Sequence, residues 1–149
     1  MENEMIAMSA CLKDIKVKYN GESNNNHKVD SAKILLICPE VYGGLSTPRN
    51  PVEIVATCKR SNTFEQLKKQ EIKILDKQGN DYSKQFLEGA LKTLELLENN
   101  NIKRVILKTK SPSCGINKVY DGTFSNQLVN GSGILASLLK EKGYQIEEK

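Results

Sequence analysis

Two rhythms of apolar and polar positions run along this chain. Met5 to Ala10, Lys33 to Ile37 and Ile102 to Leu107 are short dense apolar runs, the last the strongest. Runs of this length, rich in Ile, Leu and Val and bounded by polar or turn residues, predict buried strands. From Asp81 the period lengthens. Phe86, Leu87, Ala90, Leu91, Leu94 and Leu97 recur at spacings of three and four. That spacing predicts an amphipathic helix with Asp81 as its N-cap and Asn99-Asn100-Asn101 as its end. Ile134, Leu135, Leu138 and Leu139 predict a last helix, capped by Ser132 and stopped at Gly143, ahead of an edge strand over Tyr144 to Ile146.

The remaining stretches read as connections. Residues 12 to 30 are polar, with Asn20-Gly21 and Asn24-Asn25-Asn26, and predict a loop. VYGGLSTPRNPVEI, residues 41–54, carries Gly43, Gly44, Pro48 and Pro51 and predicts a long loop. The charged residues 62–70 predict a helical turn or an excursion, Ile72 to Leu75 a short strand closed around Gln78-Gly79, and Asp121-Gly122 a turn. Strands alternating with helices predict an α/β fold: a single three-layer, Rossmann-like domain over residues 1–149 with a mainly parallel sheet. Such sheets take ligands in the crevice outside the carboxyl ends of their strands.

Composition narrows the function classes. The chain has 149 residues, enough for a real core, and a net charge of +4. Its Lys and Arg are scattered, with no arginine-rich run, which argues against a nucleic-acid surface. The longest strongly apolar stretch, Ile34-Leu35-Leu36-Ile37-Cys38, is far short of the ~20 residues a membrane span needs. MENEMIAMSACL carries Glu2 and Glu4 and no basic start, so it is a poor secretory signal. A cytoplasmic protein with reduced thiols is expected.

Four cysteines then become the chemistry to explain. Cys11 follows the first predicted strand, Cys38 ends the second, and Cys114 lies just past the strand at Ile102 to Leu107. If those strands are parallel neighbours, the three thiols gather at one sheet edge. No local C-x-x-C pair exists, so zinc-ribbon and ferredoxin spacings fail. Two readings stand: small buried hydrophobes, or three thiolates that hold an iron–sulfur cluster with one iron open to a ligand. Cys58, in ATCKRSN, falls outside the pattern.

SACL (9–12), CPEVYGGLSTPRNP (38–51), SPSCG (111–115) and YDGTFS (120–125) stand in the order in which they occur in the TudS-like thiouracil desulfidase family, which the chain resembles from about Met5 to Gly143. The resemblance implies a [4Fe-4S] cluster on Cys11, Cys38 and Cys114, loaded by iron–sulfur assembly machinery. It implies a small thiolated substrate, a thiouracil-like nucleobase, whose C=S becomes C=O with release of sulfide and no net redox change. It also implies an acid/base role for Glu40 and a catalytic role for Ser111. The chain departs from the family where Val17 replaces a further cysteine, where residues 22–33 form a shorter segment, and where Leu45-Ser46-Thr47-Pro48 replaces L-P-T-P. These changes bear on the substrate more than on the cluster.

Further positions invite a ligand. Arg49 is expected to fork onto a carbonyl or anion of the substrate, and Phe124 to stack on a base, unless they brace loop and hairpin. Gly43 and Gly44 allow either close approach to a ligand or a plain turn. His27 is the only histidine and reads as a solvated loop residue. Two other function classes fit the same residues: a non-catalytic module binding a metal or small ligand, and a sulfur-transfer enzyme working through a Cys114 persulfide.

Overall fold

The computed structural model describes residues 5–9, 33–45 and 51–148. Four strands make its central sheet: β1 (Met5–Ser9), β2 (Lys33–Ile37), β5 (Arg104–Leu107) and β8 (Gln145–Glu148). Their order is β2-β1-β5-β8, and every pairing is parallel. Met5 lies opposite Lys33 and Ser9 opposite Ile37, while Ala7 and Met8 lie opposite Val105 and Ile106. The carboxyl ends of β1, β2 and β5 therefore finish level at one edge.

Alternation along the strands divides the apolar side chains between two faces. Ala7, Ile37, Val105 and Leu107 join the large core, while Ile6, Met8 and Ile106 cluster separately. The large core is completed by α3 (Ser83–Asn99), through Phe86, Ala90, Leu94 and Leu97, and by α4 (Ile134–Glu141), through Ile134, Leu135, Leu138 and Leu139. Each Leu, Ile, Val or Phe among them contributes roughly 1.5–3 kcal/mol by leaving water. The expected parallel α/β sheet is present, and β8 is its edge strand as expected.

Some local expectations hold and others are corrected. Residues 41–54 are not one loop: Val41 and Tyr42 end the short helix α1 (Pro39–Tyr42), and Val52 opens β3 (Val52–Ala56). Pro51 stands just before β3, where a missing N–H costs no ladder bond. β3 pairs antiparallel with β4 (Ile72–Asp76) in a ribbon of its own, and Ile54 faces Ile74 with both buried. β4 is thus a strand, but it lies outside the main sheet. The charged 62–70 stretch contains α2 (Thr63–Lys68), because Thr63, Phe64 and Leu67 share a buried side and the Asn62 side chain accepts the Glu65 N–H at 3.4 Å. In α3 the buried stripe takes in Gly89 and Thr93, leaving Leu91 49% exposed rather than inside. Asp81 does accept the Ser83 N–H at 2.8 Å, one residue ahead of the N-cap at Tyr82. Ser132 does not cap α4; the N-cap is Gly133. The predicted loop at 12–30, with His27, lies outside the described residues, as do Val17 and Ser46-Thr47-Pro48.

Candidate functional site

The SPSCG turn leaves β5 and folds tightly on itself. The Ser111 hydroxyl accepts the N–H groups of Ser113 at 3.0 Å and Cys114 at 3.1 Å, and the Ser111 carbonyl accepts the Gly115 N–H at 2.9 Å. Lys110 enters the turn with φ +67, a left-handed conformation that a non-glycine residue holds only under local constraint. The start of α4 locks the turn from the other side. Gly133 N–H donates to Gly115 O at 2.7 Å, Ile134 N–H to Pro112 O at 2.8 Å, and Ala136 N–H to Ser113 O at 3.0 Å. The N–H groups that a helix start leaves orphaned are satisfied here by the turn's carbonyls. Only glycine fits at 133, since a Cβ there would collide with the Ser113 carbonyl and the Cys114 nitrogen.

These contacts fix Cys114, which is 4% exposed. Its sulfur accepts a hydrogen bond from the Ser9 hydroxyl at 3.4 Å, and that hydroxyl in turn accepts the Lys108 N–H at 3.1 Å. Ser9 ends β1, so the sulfur is tied across the sheet edge to the neighbouring strand. Sequence reasoning missed this role. The signal was there, because Ser9 is the polar residue that ends an otherwise apolar buried strand.

Cys38 stands on the other flank of β1, one residue past β2, and is half-buried. Pro39 opens α1 there, a position that suits its fixed φ and absent N–H. Glu40 stands on α1, two residues past Cys38. α1 is pressed against α3 at a glycine pair. A Cβ on Gly43 would collide with the Gln85 carbonyl, and one on Gly89 with the Pro39 carbonyl. Gly43 thus serves a close approach of two helices and not of a ligand, while Gly44, with φ +97, makes the turn. Tyr42 donates from its hydroxyl to Leu36 O at 3.2 Å. Burial pushes its phenol above the ordinary range, as does the Cys38 sulfur, against the opposing pull of a hydrogen bond with the Cys38 backbone.

Cys11, two residues past Ser9, and Arg49 lie outside the described residues. Phe124 is placed on the 121–127 loop between β6 (Lys118–Tyr120) and β7 (Leu128–Asn130). Its N–H donates to Glu53 Oε1 at 3.2 Å, beside the Gly122 N–H at 2.9 Å on the same oxygen. Arg60 Nη2 donates to Asp121 O at 2.8 Å. Hydrogen bonds from Thr123, against slight burial, hold the Asp121 carboxyl below its usual range. Glu53 and Arg60 therefore clamp this loop onto β3, a brace sequence reasoning did not find. Cys58, expected from its place outside the strand-end pattern to be an ordinary small buried hydrophobe, is instead exposed.

The residues present fit an iron–sulfur cluster by the chemistry of their donors. Two thiols flank the end of β1, one of them already accepting a hydrogen bond, and the chain continues from that strand end into a third. Among the described residues no group of three His, Cys, Asp or Glu side chains gathers to hold a metal ion. An all-thiolate set favours iron–sulfur chemistry over hard cations.

Fold and site together define an α/β protein with cysteines and hydroxyls collected at the carboxyl edge of a parallel sheet. The family model for 2-thiouracil desulfurase matches residues 6–149, and the chain belongs to that family. An uncharacterized protein of Bacillus subtilis (strain 168), YbbK, is 42% identical over 146 residues, spanning 95% of this chain and 93% of that protein. A solved structure described as the [4Fe-4S]-dependent thiouracil desulfidase TudS superposes with a TM-score of 0.74 at 31% identity, covering 98% of this chain and 91% of the other. No helix among the described residues is long and apolar enough to cross a membrane.

Proposed function

We propose that this protein is an enzyme that removes sulfur from a thiolated nucleobase of the thiouracil type, using a [4Fe-4S] cluster on Cys11, Cys38 and Cys114. The observation that carries it is the convergence of Cys38 and Cys114 at the ends of strands flanking β1, the strand that leads to Cys11, in a chain of the 2-thiouracil desulfurase family. Bound there, the cluster supplies a thiophilic iron with an open coordination position that polarises a C=S bond.

The protein's own residues supply the rest. The reaction consumes one water: a C–O bond forms at the ring carbon, the C–S bond breaks, and sulfide leaves without a change in oxidation state. Glu40 takes a proton from that water or moves the ring N–H proton. Ser111 acts as a donor. Both lone pairs of its oxygen are engaged by the Ser113 and Cys114 N–H groups, so its O–H is the group left to address substrate or water. Arg49 is assigned to a carbonyl or anionic group of the substrate and Phe124 to stacking on its base. Iron–sulfur assembly machinery loads the site in a reducing cytoplasm, where the thiols stay available.

The test is anaerobic reconstitution followed by iron and acid-labile sulfide analysis. About four of each per chain is expected for the unaltered protein. Cys11→Ala, Cys38→Ala and Cys114→Ala are each expected to lose most of both. Full loading in all three variants would exclude this ligand set.

A further inference from the structure

We infer that Ser9 is a positioning and tuning residue for the cluster, acting through a hydrogen bond to the sulfur of Cys114. The inference rests on the cluster reading above and adds a residue to it. Ser9 is 2% exposed, and Cys114 4%. The Ser9 oxygen accepts the Lys108 N–H at 3.1 Å, which leaves its O–H free to turn toward Cys114 Sγ, 3.4 Å away.

Two consequences follow from the chemistry. A donor on a ligating thiolate withdraws electron density from sulfur and leaves the iron more electron-poor, which strengthens its pull on a substrate sulfur. The same bond stabilises the more negative, reduced cluster and raises its reduction potential. The reaction itself moves no electrons, so the potential is a readout that substrate turnover does not disturb. The geometry is also ready before loading, because the turn holding Cys114 is fixed by Ser111 and by the start of α4.

The experiment compares Ser9→Ala and Ser9→Thr with the unaltered protein after anaerobic reconstitution, by iron and sulfide content and by redox titration. Ser9→Ala is expected to load fully and to show a more negative potential, about a tenfold change in the oxidised-to-reduced ratio or ~59 mV for one electron. Ser9→Thr, which keeps the hydroxyl, is expected to stay near the unaltered value. A fully loaded Ser9→Ala with an unchanged potential overturns the inference and leaves the cluster reading standing. An unaltered protein that takes up no iron overturns the cluster reading itself, and this inference with it. If Ser9→Ala folds by circular dichroism but does not load, or does not fold, Ser9→Thr and the isosteric Ser9→Val decide. Loading with Thr and not with Val assigns the effect to the hydroxyl. Equal behaviour of the two assigns it to packing and overturns the inference.

Discussion

Ser111 shows how one residue's hydrogen bonds limit its chemistry. Its oxygen accepts two N–H groups of its own turn, the bland arrangement expected of a turn serine, and this is compatible with catalysis only as a donor. Ser111→Ala deprives both N–H groups of their acceptor, at a cost of about 1–3 kcal/mol. The urea midpoint of the protein is therefore expected to fall along with turnover. Ser111→Thr is expected to keep the turn and restore part of both. Cys114 carries a similar lesson. Its burial is unlike the exposed, activated setting of a thiol that attacks alone, which weighs against a persulfide role. Sequence reasoning located Cys38, Cys114 and Ser111 because strand ends and turn residues leave local signatures. It missed Ser9, Glu53 and Arg60 because their partners lie far away in sequence, Ser9 to Cys114 and Glu53 to Phe124 among them.

The elements are fixed to one another where backbones meet. α4 touches the SPSCG turn through Gly133, and α1 touches α3 through Gly43 and Gly89, with no room for a methyl at any of the three. Gly133→Ala cannot be relieved by moving a flexible side chain, since the clash is with backbone. It is expected to cost about 1–3 kcal/mol and to displace Cys114, lowering iron content more than the Gly143→Ala control. Gly143 lies past α4 with φ +83 and open space around it, so its substitution strains the chain without touching the turn. Urea denaturation and iron analysis of both variants check this. These glycines were visible in the sequence, but their purpose was not, because a glycine at a turn and a glycine at a helix crossing look alike. The missed strand β3 has a similar cause: Pro51 beside Val52 read as loop, while the pairing of Ile54 with Ile74 overrode that local signal.

The start of α3 adds a pH dependence. Burial pushes the Asp81 carboxyl up, but hydrogen bonds from Ser83 and the charge of Lys73 outweigh it, and its pKa lies below the ordinary value. A carboxyl whose folded pKa is depressed contributes stability that is present above the unfolded pKa, ~3.9, and is lost as pH falls through the folded value. The stability gap between the unaltered protein and Asp81→Ala is expected to be constant from about pH 5 upward and to shrink below about pH 4. Urea midpoints across that range measure it. An unchanged gap at the acidic end would remove this role from Asp81.

At the scale of the whole molecule, the parallel sheet was legible because β1, β2 and β5 carry dense apolar runs; β1 and β5 are buried on both faces, while β2, at the sheet edge, leaves Ile34 and Leu36 exposed. The level ends of those strands then bring distant parts of the sequence to one edge, and that convergence supports a cluster site better than any local motif does. The central claim is that this edge, once loaded, exchanges sulfur for oxygen on a thiolated pyrimidine. The most direct measurement follows uracil and sulfide released from 2-thiouracil by the anaerobically reconstituted protein, with its metal-free form alongside and no added reductant or oxidant. The account predicts uracil and sulfide in equal amounts from the loaded protein and neither from the metal-free one. A loaded protein that binds thiouracil but releases no sulfide, or a metal-free protein that is equally active, would contradict it.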